Sequence, residues 1–280
     1  MAEIKAADVA ALRKATGAGM MDCKAALNET DGDMEAAKDW LRSKGLAGAS
    51  KRAGRAAEQG AIDVLVEGGV GALVELTAET DFVAKSADFK GAVGDLAKLA
   101  VQEGQAELAD LAYEGGTVGE HVTQMAAKLG ENVAIGRVVL FETTDGLLDG
   151  YVHTQNERGV MGVLVELGGV DPSDATAQEV AHDIALHIAS AAPQYVDRDD
   201  VPADVIERER AVFEELTRNE GKPEQAIPKI VEGRIGGYYK ENVLLEQGFV
   251  KEPKTTIAQV LATLGADATV RRFARVKIGE

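Results

Sequence analysis

The stretch Gly71-Ala72-Leu73-Val74-Glu75-Leu76 returns as Gly162-Val163-Leu164-Val165-Glu166-Leu167, an offset of 91. Each copy follows another strand-like run, Ile62-Asp63-Val64-Leu65-Val66 in one case and Leu148-Asp149-Gly150-Tyr151-Val152-His153 in the other. Turn residues join each pair, around Gly68-Gly69 and around Asn156-Glu157-Arg158-Gly159, so two antiparallel hairpins are predicted. A helix with one apolar face follows each hairpin at the same offset. Phe89, Val93, Ala97 and Ala100 answer to Val180, Ile184, Ile188 and Ala191, and Thr176 with Glu179 reads as a capping box. Matching Arg137-Val138-Val139 to Arg275-Val276-Lys277 as closing strands gives an offset of 138, hence 47 extra residues in the second half (138 less 91). The fold class is therefore α+β: two repeated subdomains with small antiparallel sheets, and an insertion in the second.

Residues 196–247 form that insertion. Val205 with Val212, and Ile206 with Phe213, repeat at sevens, and Ile227, Ile230, Val231 and Ile235 supply a return helix, so an antiparallel helical hairpin of coiled-coil spacing is predicted. Pro223 suits a first helical position and Pro228 predicts a kink near the start of the return helix. Ahead of the repeat, residues 1–44 read as three short helices interrupted at Thr16-Gly17-Ala18-Gly19 and at Asp31-Gly32-Asp33, with Asp33 as an N-cap. So small a module needs a neighbour to lean on. Residues 45–59 read as a flexible basic linker, leaving 60–142 as the first core subdomain and 143–195 with 248–280 as the second.

Charge and chemistry exclude more than they assign. A net charge of -17, almost all of it beyond residue 44, argues against nucleic acid, whose phosphates demand Lys and Arg, and suits a protein with a basic face. Cys23 is the only cysteine, so no intrachain disulfide is expected, and it reads as a small buried apolar residue. The N-terminus carries no apolar leader and no run is long enough to span a bilayer, so a cytoplasmic location and no membrane partner are expected. Phosphate-loop and nucleophile-elbow motifs are absent. His182 and His187, five apart, fall on different helix faces and read as solvated or core side chains, and His121 has no visible partner. No catalytic residue, cofactor or metal is expected.

One motif stands apart. Thr80-Asp81-Phe82-Val83-Ala84-Lys85 sits between a strand and a helix starting near Ser86. It can be a plain helix start, Thr80 capping, Asp81 favouring the dipole and Phe82 folding back as a staple. The repeat supplies a control: adding 91 reaches Asp171-Pro172-Ser173-Asp174, a turn with no aromatic, so the subdomain does not require Phe82. An exposed Phe82 is then a contact residue.

Together with Leu12-Arg13, Thr16 through Leu27 and Val231-Glu232-Gly233-Arg234, this motif makes the whole chain resemble the bacterial elongation factor Ts family, guanine-nucleotide exchange factors for elongation factor Tu. The resemblance implies a ubiquitin-associated-like N-terminal three-helix domain, the two related subdomains and the inserted hairpin. It implies that Asp81 and Phe82, flanked by Thr80 and Val83, enter a cleft between two helices of the partner's GTPase domain and disturb the magnesium and phosphate-loop site so that GDP leaves. It further implies that Leu12, Met20 and Met21 touch the same GTPase domain and that His153 touches another domain of the partner. A homodimer through the helical hairpin is a further implied contact, although Pro228 departs from the usual hairpin. Contacts that some members make through an additional C-terminal helical module are not expected of a chain ending at Glu280. Two rival assignments remain on the residues alone: a ubiquitin-associated-like protein-binding adaptor, and a hydrolase using Asp81 and His153 that lacks a nucleophile.

Overall fold

The computed structural model describes residues 4–16 and 18–280. Gly17, expected as a helix stop, and residues 1–3, considered above for a leader, lie outside the described residues. The chain opens with α1 (Ala6–Thr16), α2 (Met20–Glu29) and α3 (Met34–Arg52). Val9, Leu12, Cys23, Ala26, Leu27 and Ala37 close a small core between them. Asp33 caps α3, its carboxylate accepting from the Glu35 and Ala36 amides.

The expected linker is helix as far as Arg52, and only residues 53–58 connect to the first strand. Glycine disfavours a helix by about 1 kcal/mol, so Gly45 and Gly48 argued for a flexible segment. Tertiary packing outweighs them. A Cβ on Gly45 would lie 2.9 Å from the Ala127 methyl, so only glycine lets α3 lie this close to its neighbour. Arg52 Nη2 adds a hydrogen bond to the Ala126 carbonyl at 3.0 Å. The N-terminal helices thus lean on the first core half.

That half runs β1 (Gln59–Glu67), β2 (Val70–Ala78), α4 (Asp81–Ala84), α5 (Ala87–Glu103), the short β3 (Ala112–Tyr113) and β4 (Gly116–Thr117), α6 (Val118–Leu129) and β5 (Val133–Glu142). The second half runs β6 (Leu147–Gln155), β7 (Arg158–Gly168) and α7 (Ala175–Ala191), then α8 (Ala203–Asn219) and α9 (Ile227–Asn242). It ends with β8 (Gly248–Phe249), β9 (Glu252–Thr256), α10 (Ile257–Ala262) and β10 (Thr269–Lys277). The main sheets have equivalent orders, β1-β2-β5 and β6-β7-β10, all antiparallel. The fold is α+β, as the sequence indicated.

The closing strands align differently from the sequence match. Gly71 pairs with Phe141 and Gly162 with Val276, an offset of 135 rather than 138, so the second half is longer by 44 residues (135 less 91). Alternating apolar and charged residues do not fix register by themselves; a buried acid does. Glu75 is held by Arg137, and its repeat equivalent Glu166 by Arg272, each beside an irregularity in the ladder. A second correction concerns α7, whose N-cap is Asp174, accepting from the Thr176 amide, in place of a Thr176 box.

The two sheets face one another. Ile62, Leu73 and Val276, then Phe141, Leu148 and Leu164, fill the space between them. A Cβ on Gly162 would meet Ile62, Val64 and Leu73 at 2.7–3.0 Å, so the interface is as thin as a glycine allows. Helices α5 and α6 cover the outer face of the first sheet and α7 that of the second.

Helices α8 and α9 form the hairpin, with Ile206 and Phe213 against Ile227, Val231, Ile235 and Tyr239. The other predicted heptad row is not used there: Val212 is 57% exposed. Pro228 removes no helical hydrogen bond, because α9 begins at Ile227 and the ring sits in its first turn, where the missing N–H has no helical partner to lose. Pro223 precedes a short 3-10 turn instead of starting that helix. Backbone bonds from Gln194 and Tyr195 to Asn242, and from Leu244 to Tyr195, fasten the two roots of the hairpin together.

Candidate functional site

The middle of β2 is buried on both faces, and the chain leaves the strand through Glu79 and Thr80 into α4, a single helical turn. One turn cannot sustain itself in water, so its shape is imposed from outside. Thr80, in extended backbone, caps the turn through an Oγ1 that accepts from the Val83 amide at 3.4 Å. Ser86 restarts the chain as the N-cap of α5. Ala84 is buried and Val83 packs against the first-half core. Phe82 is 83% exposed, the largest exposure among the described bulky apolar side chains. The staple alternative is thereby excluded: the ring does not fold back.

Asp81 lies beside Phe82 and pairs with Lys85, one helical turn on. The bond from the Lys85 ammonium, and secondarily the nearby Arg158 guanidinium, hold the Asp81 carboxyl below its ordinary value, so it is an anion at neutral pH. Arg158 belongs to the second half. Its Nη1 and Nη2 donate to the Gly60 carbonyl at 2.6 Å and to Gln59 Oε1 at 2.8 Å. Asn156 and Glu157 both take positive φ in the tight turn between β6 and β7, and Lys90 Nζ donates to the Glu157 carbonyl at 3.0 Å. The second hairpin is thereby fastened to β1 and α5, beside the tip, and brings a guanidinium near Asp81.

A direct brace escaped the sequence. Glu131 Oε2 accepts from the Thr80 amide at 3.0 Å, and its Oε1 from the Thr80 hydroxyl at 2.6 Å. Glu79 Oε1 accepts from the Asn132 amide at 2.7 Å, and Asn132 Nδ2 donates to the Arg55 carbonyl at 2.7 Å. Nothing local links positions 51 residues apart; only the β2–β5 register, which pairs Ala78 with Val133, brings them together.

The remaining expected contact residues lie on separate elements. Met20 and Met21, at the start of α2, are 57% and 74% exposed. Leu12 is a correction: it is wholly buried among Val9, Cys23 and Leu27, because the α1 face that its helical spacing defines is the one that closes the module. It can shape a contact surface but cannot be one. His153 is exposed on β6, its Nδ1 3.1 Å from the Tyr151 hydroxyl. Elsewhere His187 is a buried core residue between Gln247 and the Val250 amide, and His182 pairs with Asp149 on the exposed side of α7. His121, which showed no partner in the sequence, lies against Tyr113 and Glu114. Cys23 is buried. Among the described residues, no three His, Cys, Asp or Glu side chains are grouped as a metal site.

Comparison with known proteins finds relatives over the full length of the chain. A family model described as "Elongation factor TS" matches residues 79–280. Elongation factor Ts of Micrococcus luteus is 47% identical over 285 residues, covering 100% of both chains. The Renibacterium salmoninarum protein of that name is 47% identical, again with 100% of both covered. That of Sphingopyxis alaskensis is 44% identical over 100% of this chain and 94% of its own.

Proposed function

The chain belongs to the elongation factor Ts family, and from that premise we propose that it serves translation elongation as a nucleotide exchange factor, binding elongation factor Tu·GDP and expelling GDP. Phe82 is the wedge and Asp81 the charge beside it; Thr80 and Val83 frame them. The ring enters a cleft in the partner's GTPase domain and displaces groups about its magnesium ion and phosphate loop. Met20 and Met21 grip the same domain, while His153 meets another. A homodimer through the hairpin would draw on Val212 and Leu216, both exposed on α8. A cytoplasmic place of work is part of the same proposal; no helix among the described residues is long and apolar enough to cross a membrane.

Exchange makes and breaks no covalent bond. It requires a coupling free energy: a protein that prefers the nucleotide-free partner weakens GDP, and GDP weakens it reciprocally. Loosening GDP by about 10⁴-fold needs roughly 5.5 kcal/mol of differential binding, whereas burying one phenylalanine supplies about 1.5–3 kcal/mol. The wedge must be backed by the other contacts. The observation that carries this function is the 83% exposure of Phe82 on a turn fixed at both ends. The test is GDP release from purified elongation factor Tu, measured with and without this chain. Release at the intrinsic rate in the presence of excess chain would overturn the assignment.

A further inference from the structure

The β2–β5 ladder ends with the pair Ala78 and Val133, but its register does not. Continuing antiparallel, the next rungs would be Glu79 opposite Asn132 and Thr80 opposite Glu131. Backbone bonds stop there and side chains take over. Glu79 reaches the Asn132 amide, and Glu131 reaches the Thr80 amide and hydroxyl at 3.0 and 2.6 Å. We propose that Glu131 is the positioning residue of the exchange tip, a two-pronged clamp that sets the attitude of α4 and thus of Phe82. This inference rests on the exchange function proposed above.

The geometry explains why a carboxylate stands there. Thr80 Oγ1 must accept from the Val83 amide to cap α4, and it can do so cleanly only if its own proton points elsewhere. Glu131 Oε1 takes that proton, so the carboxylate orients the cap, while Oε2 satisfies the Thr80 amide, a donor ahead of the helix with no helical partner. Hydrogen bonds to an ionised acceptor are about twice as strong as neutral ones. The clamp is itself rooted. Glu131 follows Gly130, the left-handed C-cap of α6, and α6 is the helix on which α3 lies, through Gly45 against Ala127 and Arg52 to the Ala126 carbonyl. The N-terminal helices and the tip therefore share one strut, so a grip taken by Met20 and Met21 fixes where Phe82 is presented.

The test uses the full chain with Glu131→Ala, the isosteric Glu131→Gln and, as a control, Phe82→Ala. Amide hydrogen exchange of the free protein reads the clamp directly. Thr80 and Val83 should exchange at least about tenfold faster in Glu131→Ala, the rest of the chain remaining as in wild type, with Glu131→Gln intermediate because it keeps one acceptor. GDP release from elongation factor Tu, titrated to saturation, reads its consequence. The saturating rate should fall several-fold in Glu131→Ala with little change in the half-saturating concentration. A fold-stability role alone would lower the active fraction, which excess chain makes good. Unchanged Thr80 and Val83 exchange overturns the clamp. So does a saturating rate within about twofold of wild type where Phe82→Ala is slow. If wild type itself fails to accelerate release, the exchange function falls, and the amide measurement still decides whether the clamp exists. Should Glu131→Ala not fold, Glu131→Gln carries both measurements.

Discussion

Phe82→Ala removes a ring that the folded chain does not use. The residue is 83% exposed, so its loss should move the unfolding free energy by no more than an ordinary surface change, about 0.5 kcal/mol. In the proposed complex with elongation factor Tu the balance differs. Burying the exposed ring in the partner's cleft is worth about 1.5–3 kcal/mol. Immobilising the ring takes back about 0.5–1.5 kcal/mol. Since alanine also keeps its β-carbon, the net loss is about 1–2 kcal/mol, or roughly 5- to 30-fold in the second-order rate constant for GDP release. Stopped-flow release of a fluorescent GDP analogue from elongation factor Tu, with Tm recorded in parallel, measures both halves of the expectation. Release within about threefold of wild type would refute the wedge. A Tm lowered by many degrees would refute it differently, because the ring would then be packing inside its own subdomain.

Other consequences follow from burial and charge. Leu12→Ala should cost about 2–5 kcal/mol of N-terminal module stability, visible as early melting of those helices, whereas Met21→Ala should leave melting unchanged and slow GDP release a few-fold. Arg137→Met leaves Glu75, 7% exposed, without its ion partner; because Arg137 itself is 42% exposed, the loss should be about 2–3 kcal/mol, below the 3–5 kcal/mol of a fully buried pair, read from denaturant unfolding. Burial pushes His187 below the ordinary histidine value of 6.5, the bond to Gln247 opposing it only in part. The unfolded chain then takes up the proton first, so this contribution to stability is full above about pH 6.5 and is lost as pH falls from there through the lower folded value. Wild-type Tm should decline between about pH 6.5 and 5, and His187→Leu, though less stable, should show a flatter profile in that window.

The repeat was the most legible part of the chain, because an offset of 91 carries strand, turn and helix together and each copy corroborates the other. Its limit came at the third strand, where a period of two cannot distinguish a register from one displaced by a few residues; Arg137 and Arg272, tied to buried Glu75 and Glu166, settle it. The reach of α3 was illegible for a related reason. Gly45 and Gly48 break helices in isolation, and what overrides them is packing against α6, where Gly45 lies against the Ala127 methyl, 82 residues away. Phe82 could be singled out only because the second copy lacks it. Leu12 and the two methionines share one motif, yet helical phase separates them, and the motif says nothing of phase. Glu131 has no signature at all, since its meaning arises from a ladder that must first be formed.

The rigidity of the tip follows from the size of the forces available to it. Fixing the backbone of one residue costs about 1–2 kcal/mol, so a flexible Asp81–Ala84 segment would lose about 4–8 kcal/mol on being ordered by a partner. That exceeds the about 1–2 kcal/mol net that one ring can return on burial. A mobile loop bearing a phenylalanine would therefore be a poor wedge, however exposed. The turn has to be ordered before the encounter, and folding is the only event that can supply the order. Burial of Ala84, the Thr80 and Ser86 caps and the Lys85 bond to Asp81 restrict those four residues, and the Glu131 carboxylate fixes Thr80 at their start. An apolar ring left in water on so constrained a turn is what the proposed exchange, without covalent chemistry, would require: a side chain that gains only on meeting its cleft, on a backbone with little left to lose.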